Sequence, residues 1–346
     1  MQFFNDLSRY SHGFTDCITT IDSHTEGEAT RLIVDGLPEP EGQTMMEKLA
    51  SFKANYDHVR CLLTKEPRGS RDTVAAMVTE KVTAEASFGL LYMDARRYPY
   101  MCGHATIGAL VSLAKTGFLQ LDPGENAIAV DTPSGLVRSM LFVDGERLET
   151  VSIDMVPSFV YATDQDIEVE NFGRLKIDLV CTGGFFAMVN TEQLQIEPVL
   201  KNKKFLAELG MKVIKAANEQ LDIAHPLRPE VNTVDVTEFY DSQFEQGEAF
   251  GRGIIVYGEA HVDRSPCGTG TAAKLALLHH YGKLAMEQDY TNYGPLATHF
   301  AAKLTGTKAI GAFDAQIAQL RGMAYLTGVH HFVVEQHDPL KGGFLM

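Results

Sequence analysis

Short runs rich in β-branched and aromatic residues alternate along this chain with a few longer apolar stretches of helical length. Runs at 18–21, 31–34, 88–92, 127–130 and 137–143, bounded by Gly, Pro and Asp, predict strands. Residues 44–55 predict a first helix, and ATIGALVSLAK at 105–115, followed by Thr116 and Gly117, predicts a second. The later part repeats the plan, with strands at 176–180, 186–190, 233–239 and 253–257 and helices at 203–218 and 271–281, the last closed by Gly282. Helices 105–115 and 271–281 are apolar almost all round, which predicts that each runs through a core. The 346 residues suit two such cores, with a link expected at 144–157.

These two helices open in the same way. Cys102-Gly103-His104-Ala105-Thr106 and Cys267-Gly268-Thr269-Gly270-Thr271 share the pattern C-G-x-x-T directly before the apolar run. One such device in each half is what two related domains facing each other across a cleft produce. A helix start exposes unpaired N–H groups and the positive end of the helix dipole. A cysteine there should have its thiolate stabilised and its pKa lowered, which suits it to proton transfer near neutral pH. The glycine that follows lets the backbone approach a ligand, so the N–H groups of Gly103, His104, Gly268 and Thr269 can hold a carboxylate between opposing helix ends. If that carboxylate belongs to an amino acid, its α-carbon lies between the two sulfurs. One then removes a proton and the other returns one from the opposite face. Without pyridoxal phosphate as electron sink, the enolate-like charge needs electrostatic stabilisation, which two convergent helix ends in a dry cleft can supply. No cofactor is expected.

Plainer readings exist for each of these residues. A cysteine is most often a small buried hydrophobe, and that is the expectation for Cys17, Cys61 and Cys181. A redox disulfide between Cys102 and Cys267 would need their Cα atoms within about 7 Å. His104 has no His or acidic residue three or four positions on, so no metal is expected. CGTGTAAK lacks the order of a phosphate loop. Asp263 is either a turn former or an anion able to pair with a secondary ammonium. His24 and Glu26 suit a polar structural network or a substrate contact, and Phe185 and Phe186 suit a pocket wall or strand core.

Charge and composition narrow the partners. Thirty Lys and Arg against 45 Asp and Glu leave a formal charge of −15, which opposes nucleic acid and anionic membranes. The five cysteines are scattered without a C-x-x-C pair, arguing against a disulfide scaffold or structural zinc and for a reducing cytoplasm. No apolar window approaches the roughly 20 residues of a membrane span, and MQFFNDLSRYSHGF lacks the regions of a signal peptide. A soluble cytoplasmic protein acting on a small molecule is expected.

Six segments carry a resemblance to a known family: IDSHTEGEATR at 21–31, EPRG at 66–69, MCGH at 101–104, TGGFFA at 182–187, DRSPCGTGT at 263–271 and HDPLKGGF at 337–344. Together they resemble the proline racemase family, which includes 4-hydroxyproline 2-epimerases and trans-3-hydroxyproline dehydratases. The resemblance implies an α/β fold like diaminopimelate epimerase, two pseudo-symmetric domains each with a curved sheet about a central helix and the site between them. It implies a first domain of 1–150 with 325–346 and a second of 151–324, and a possible homodimer. Cys102 and Cys267 match the family's two catalytic bases. His104 and Asp263 match residues that contact the substrate's carboxylate and ring nitrogen, while Gly103, Gly268 and Thr269 match the backbone cradle. Family dehydratases usually carry threonine where this chain has Cys267, so the resemblance favours inversion of proline or 4-hydroxyproline over elimination. The segment Arg96-Arg97-Tyr98-Pro99-Tyr100 departs from the family pattern beside MCGH and is expected to reshape the rim of the site.

Overall fold

The structure, a computed structural model, describes residues 14–245, 247–258 and 260–346. Most of the amino-terminal segment in which no signal peptide was read, residues 1–13, lies outside the described residues. The first half runs β1 (Phe14–Thr25), β2 (Glu28–Asp35), α1 (Met45–Thr64), β3 (Val74–Thr79), β4 (Phe88–Met93), α2 (Gly103–Lys115), β5 (Gly124–Thr132), β6 (Gly135–Asp144) and β7 (Arg147–Asp154). The second runs β8 (Phe159–Val169), β9 (Gly173–Cys181), β10 (Phe185–Asn190), α3 (Lys203–Gln220), β11 (Val234–Tyr240), β12 (Gln243–Glu245), β13 (Glu248–Tyr257) and β14 (His261–Val262), followed by α4 (Gly268–His280), β15 (Tyr290–Tyr293), β16 (His299–Ile310) and β17 (Phe313–Gly322). The last strand is β18 (Ala324–Glu335).

Alternating side chains give the strands one face for a core. Along β6, Val137, Ser139, Leu141 and Val143 point inward while their neighbours are more exposed. β4 is buried along its whole length because α1 packs on its other side. In the first half the strands pair in the order β18-β1-β2-β3-β4-β5-β6-β7. The sheet curves round α2, which touches β1, β2, β3, β7 and β18. β7 then pairs antiparallel with β17, setting Ile153 opposite Leu320. Pairing continues through β17-β16-β15-β13-β11-β10-β9-β8. A bridge between Ser158 and Gln316 brings the start of β8 back to β17, so the second sheet wraps α4. The two halves, each a curved sheet about a central helix, are the architecture that the resemblance implies.

Both central helices are buried nearly end to end, as their composition predicts. Ile107, Leu110, Val111, Leu275 and Leu277 are fully buried, each side chain contributing roughly 1.5–3 kcal/mol. The range 144–157, where a link was expected, holds β7, a strand bonded on both sides because Leu148, Val151 and Ile153 turn toward the core, and the passage to β8 follows it at 155–158. One detail differs from expectation. Cys17 is exposed, since it alternates with the inward-facing Ile18, and Cys61 is half-buried; of the three expected to be buried, only Cys181 is. Among the described residues no helix is long and apolar enough to cross a membrane.

α2 and α4 meet start to start. A Cβ on Gly103 would lie 3.3 Å from the Cα of Gly268, and one on Gly268 would lie 3.3 Å from the Cα of Gly103, with Met155 at 3.4 Å from either. Backbone cannot yield as a flexible side chain can. Gly103→Ala and Gly268→Ala should each cost about 1–3 kcal/mol of stability through overpacking. Calorimetry checks this, and unchanged unfolding temperatures in both variants would contradict it.

Candidate active site

The recurring threonine of C-G-x-x-T has a local purpose. Thr106 donates its hydroxyl to the carbonyl of Cys102 at 2.8 Å, and Thr271 donates to that of Cys267 at 2.6 Å. Each cysteine is the residue that caps its helix. Cys102 is extended (φ −147°), whereas Cys267 is held at φ +61°, ψ +121°, a strained conformation for a non-glycine residue that costs of order 1–3 kcal/mol. The surroundings fix that strain. The Cys267 N–H donates to Ser265 Oγ at 3.0 Å, and the N–H and hydroxyl of Ser265 both donate to Asp263 Oδ1 at 2.8 Å. The Gly270 N–H points at Cys267 Sγ from 3.4 Å.

Cys102, Gly103, His104, Asp263, Cys267, Gly268 and Thr269 all line one cavity of about 80 Å³. A single water needs roughly 10–15 Å³, so this space suits a small molecule and not a polymer. The close approach that the structure shows at Gly103 and Gly268 is to each other, a use of glycine that the sequence reading assigned to a ligand. Phe186 joins the wall while its neighbour Phe185 packs edge-on against Tyr161 in the second core, as strand alternation requires. His24 and Glu26 stand elsewhere. His24 stacks on Tyr325, and Glu26 accepts the Met323 N–H, tying the end of β1 to β18.

The two thiols lie in opposite electrostatic surroundings. Cys102 Sγ lies 3.5 Å from His104 Nδ1. Burial alone would push the His104 imidazole down, but negative charge at Cys102, its hydrogen bond, and then Asp263 and Glu28 outweigh it and raise His104 to about 9. At Cys267 the expectation of a lowered thiol is reversed. Burial first and the charge of Asp263 second push it well above the usual thiol range, despite the bonds from Thr269 and Gly270. Asp263 is itself raised, by burial and then by Glu28.

Several residues that face the cavity carry no motif. Val236, Ile255 and Tyr257 come from strands β11 and β13, and nothing in sequence separates them from ordinary core. Arg97 and Pro99, from the departing segment, form part of the wall, with Arg97 3.4 Å from Asp94, 4.0 Å from Asp235 and 5.6 Å from the Tyr257 ring centre. Glu28 is fully buried behind the site. It accepts from the backbone N–H (2.7 Å) and the guanidinium (2.6 and 3.0 Å) of Arg264, clasping the first half to the segment that carries Cys267.

Comparison with known proteins agrees along nearly the whole chain. A family model described as Proline racemase matches residues 20–345. The proline racemase of Acetoanaerobium sticklandii is 37% identical over 96% of this chain and 99% of its own length. A trans-L-3-hydroxyproline dehydratase of Xenopus tropicalis is 32% identical over 95% of each chain. The crystal structure of a hydroxyproline epimerase from Agrobacterium vitis with bound trans-4-hydroxy-L-proline superposes with a TM-score of 0.87 at 26% identity, covering 96% of both chains. This chain therefore belongs to the proline racemase family and is an isomerase of the amino-acid racemase and epimerase kind.

Proposed function

We propose that this enzyme inverts the α-carbon of proline or 4-hydroxyproline without a cofactor, with Cys102 and Cys267 as the acid and base. One observation carries the reading: both cysteines cap helices whose starts abut, and both line a single small cavity. The substrate carboxylate lies against the N–H groups of Gly103, His104, Gly268 and Thr269, with His104 adding positive charge and Asp263 meeting the ring ammonium. The α C–H bond breaks as an S–H bond forms at one cysteine. The electron pair passes into the carboxylate as an enolate, and the S–H bond of the other cysteine breaks as a new C–H bond forms on the opposite face. Nothing is oxidised or reduced, and the two cysteines exchange protonation states. The surroundings suit such a pair, since burial and Asp263 keep the proton on Cys267, while a cationic His104 stands 3.5 Å from Cys102 Sγ.

Dehydration of 3-hydroxyproline is the second reading, favoured by the Xenopus relative. Elimination needs a base on one face only, so a second thiol on the opposing helix start supports inversion instead. In deuterium oxide, L- and D-proline and trans-4-hydroxy-L-proline should gain deuterium at Cα. Cys102→Ser and Cys267→Ser should each lose about 100-fold or more of this activity. Full inversion by either variant, or a cyclic imine from trans-3-hydroxy-L-proline as the main product, would overturn the proposal.

A cationic His104 also predicts a pH dependence of stability. Its proton is held more tightly in the folded protein, at about 9 against 6.5 unfolded. Its contribution is therefore fully present below pH 6.5 and lost as pH rises through about 9. Thermal unfolding temperatures should fall across that window in the parent and fall less in His104→Asn. Identical slopes would show that the imidazolium is not held.

A further inference from the structure

α4 carries a charge within its buried length. Lys274 is fully buried, and its ammonium lies 3.3 Å from Oε1 of Glu238, equally buried on β11. The ammonium donates to the Arg252 carbonyl at 2.9 Å and to Asn292 Oδ1 at 2.7 Å. Asn292 donates in turn to Thr271 Oγ1 (2.7 Å) and to the Pro266 carbonyl (3.1 Å), and Thr271 donates to the carbonyl of Cys267. A buried polar chain thus runs from Glu238 to the turn that holds Cys267 at its strained φ.

The fold makes room for this acid. A Cβ on Gly270 would lie 2.7 Å from Glu238 Oε2, and one on Gly253 would lie 2.9 Å from Oε1. Gly270 is also the residue whose N–H meets Cys267 Sγ. Neither Glu238 oxygen accepts a hydrogen bond among the described residues. A buried ion pair is seldom worth more to stability than apolar packing of the same volume, so its presence here calls for another purpose. The first half shows the contrast. There Thr106 is supported by the hydroxyl of Tyr92 at 2.7 Å, and the position matching Lys274 is Ala109. One cysteine rests on a neutral support and the other on a charged one.

We propose that Glu238, Lys274 and Asn292 are positioning residues for Cys267, with Lys274 and Asn292 holding its turn and the Glu238–Lys274 pair setting the field beneath its thiol. Burial pushes Glu238 up and Lys274 down, and the charge of Glu238 adds to the effects of burial and Asp263 in raising Cys267. The other titratable groups around the pair and the thiol are Asp263, Tyr240, Asp241, Arg252, Tyr257 and Tyr290, with His104 across the cavity. The inference rests on Cys267 being a proton carrier, so the test reads the thiol itself.

Alkylation of Cys267 by iodoacetamide, followed by mass spectrometry of its peptide at several pH values, reports thiolate content. At neutral pH, Glu238→Gln should speed alkylation about three-fold and Lys274→Met should slow it by a similar factor. The double variant and Lys274→Arg should return toward the parent rate. Shifts of the same sign in both single variants, or no shift beside a lowered unfolding temperature, would mean that the pair only packs. If Lys274→Met does not fold, Glu238→Asp, which withdraws the charge by one carbon, must shift alkylation in the direction of Glu238→Gln; no shift overturns the proposal. α-Proton exchange by Cys267→Ser, measured separately, distinguishes the two ideas. If that variant still inverts substrate, the two-cysteine mechanism fails and this inference falls with it; if it does not invert and the single variants leave alkylation unshifted, the mechanism stands and only this inference fails.

Discussion

Everything at the site depends on two helix starts that touch. With Gly103 and Gly268 so close that a Cβ on either would lie 3.3 Å from the Cα of the other, the positive ends of α2 and α4 converge on one small volume. Like ends pushed together repel, so this joint is an unfavourable place to leave empty and a favourable one for an anion. Asp263 and Glu28, both buried, offset part of that field from the flanks. Burial first, and then the opposing charge of Glu28, make Asp263 bind its proton more readily than an isolated aspartate.

The near-symmetry of the halves makes their departures from symmetry informative. Both cysteines cap a helix and both carbonyls accept a threonine hydroxyl four residues on, yet their neighbours carry opposite charge. His104 stands at the position that Thr269 occupies in the other half, and Asp263 has no acidic counterpart at the matching place before Cys102, which is Tyr98. Two identical thiols in identical fields would hold or release protons together. Inversion needs one of each, so a chain built on a repeat must break the repeat at the sulfur atoms.

What was legible in the sequence is what depends on local physics. Burial of 105–115 and 271–281 follows from their composition, and the C-G-x-x-T repeat marks each cysteine as the residue at its helix start; that the two glycines would close on each other was not visible in it. Strands β16 and β17 were not read, because Ala, Thr, Gly and Gln fill many of their positions between widely spaced large apolar residues and so blur the period-two signal. Glu28, Tyr257 and Lys274 were missed for another reason. Each acts through a partner far along the chain, as Glu28 does with Arg264, 236 residues away. Lys274 even sits in a run read as apolar. The thiol of Cys267 was misjudged because a helix end can be seen in sequence, whereas burial and the charge of Asp263 beside it cannot.

The same distinction explains why the family resemblance extends so far from the cavity. EPRG and HDPLKGGF lie against each other: Glu66 and Phe344 exchange backbone hydrogen bonds, and Arg68 pairs with Asp338 at 2.7 Å. Within IDSHTEGEATR, Arg31 joins Asp22 to the carbonyls of Leu63 and Arg68, while Glu28 clasps Arg264. His261 of the second half meets Asp72 of the first at 2.6 Å. None of these atoms needs to touch substrate. Two of these contacts, Glu28–Arg264 and Asp72–His261, cross from one half to the other and fix how the halves are set, while the rest brace the first half itself. Each half delivers a single cysteine to the cavity, so under the proposed mechanism a small rotation between halves would move one sulfur away from the α-carbon. A site built at a joint makes the joint itself part of the site, so the constraint on sequence spreads to every contact that holds the halves in register.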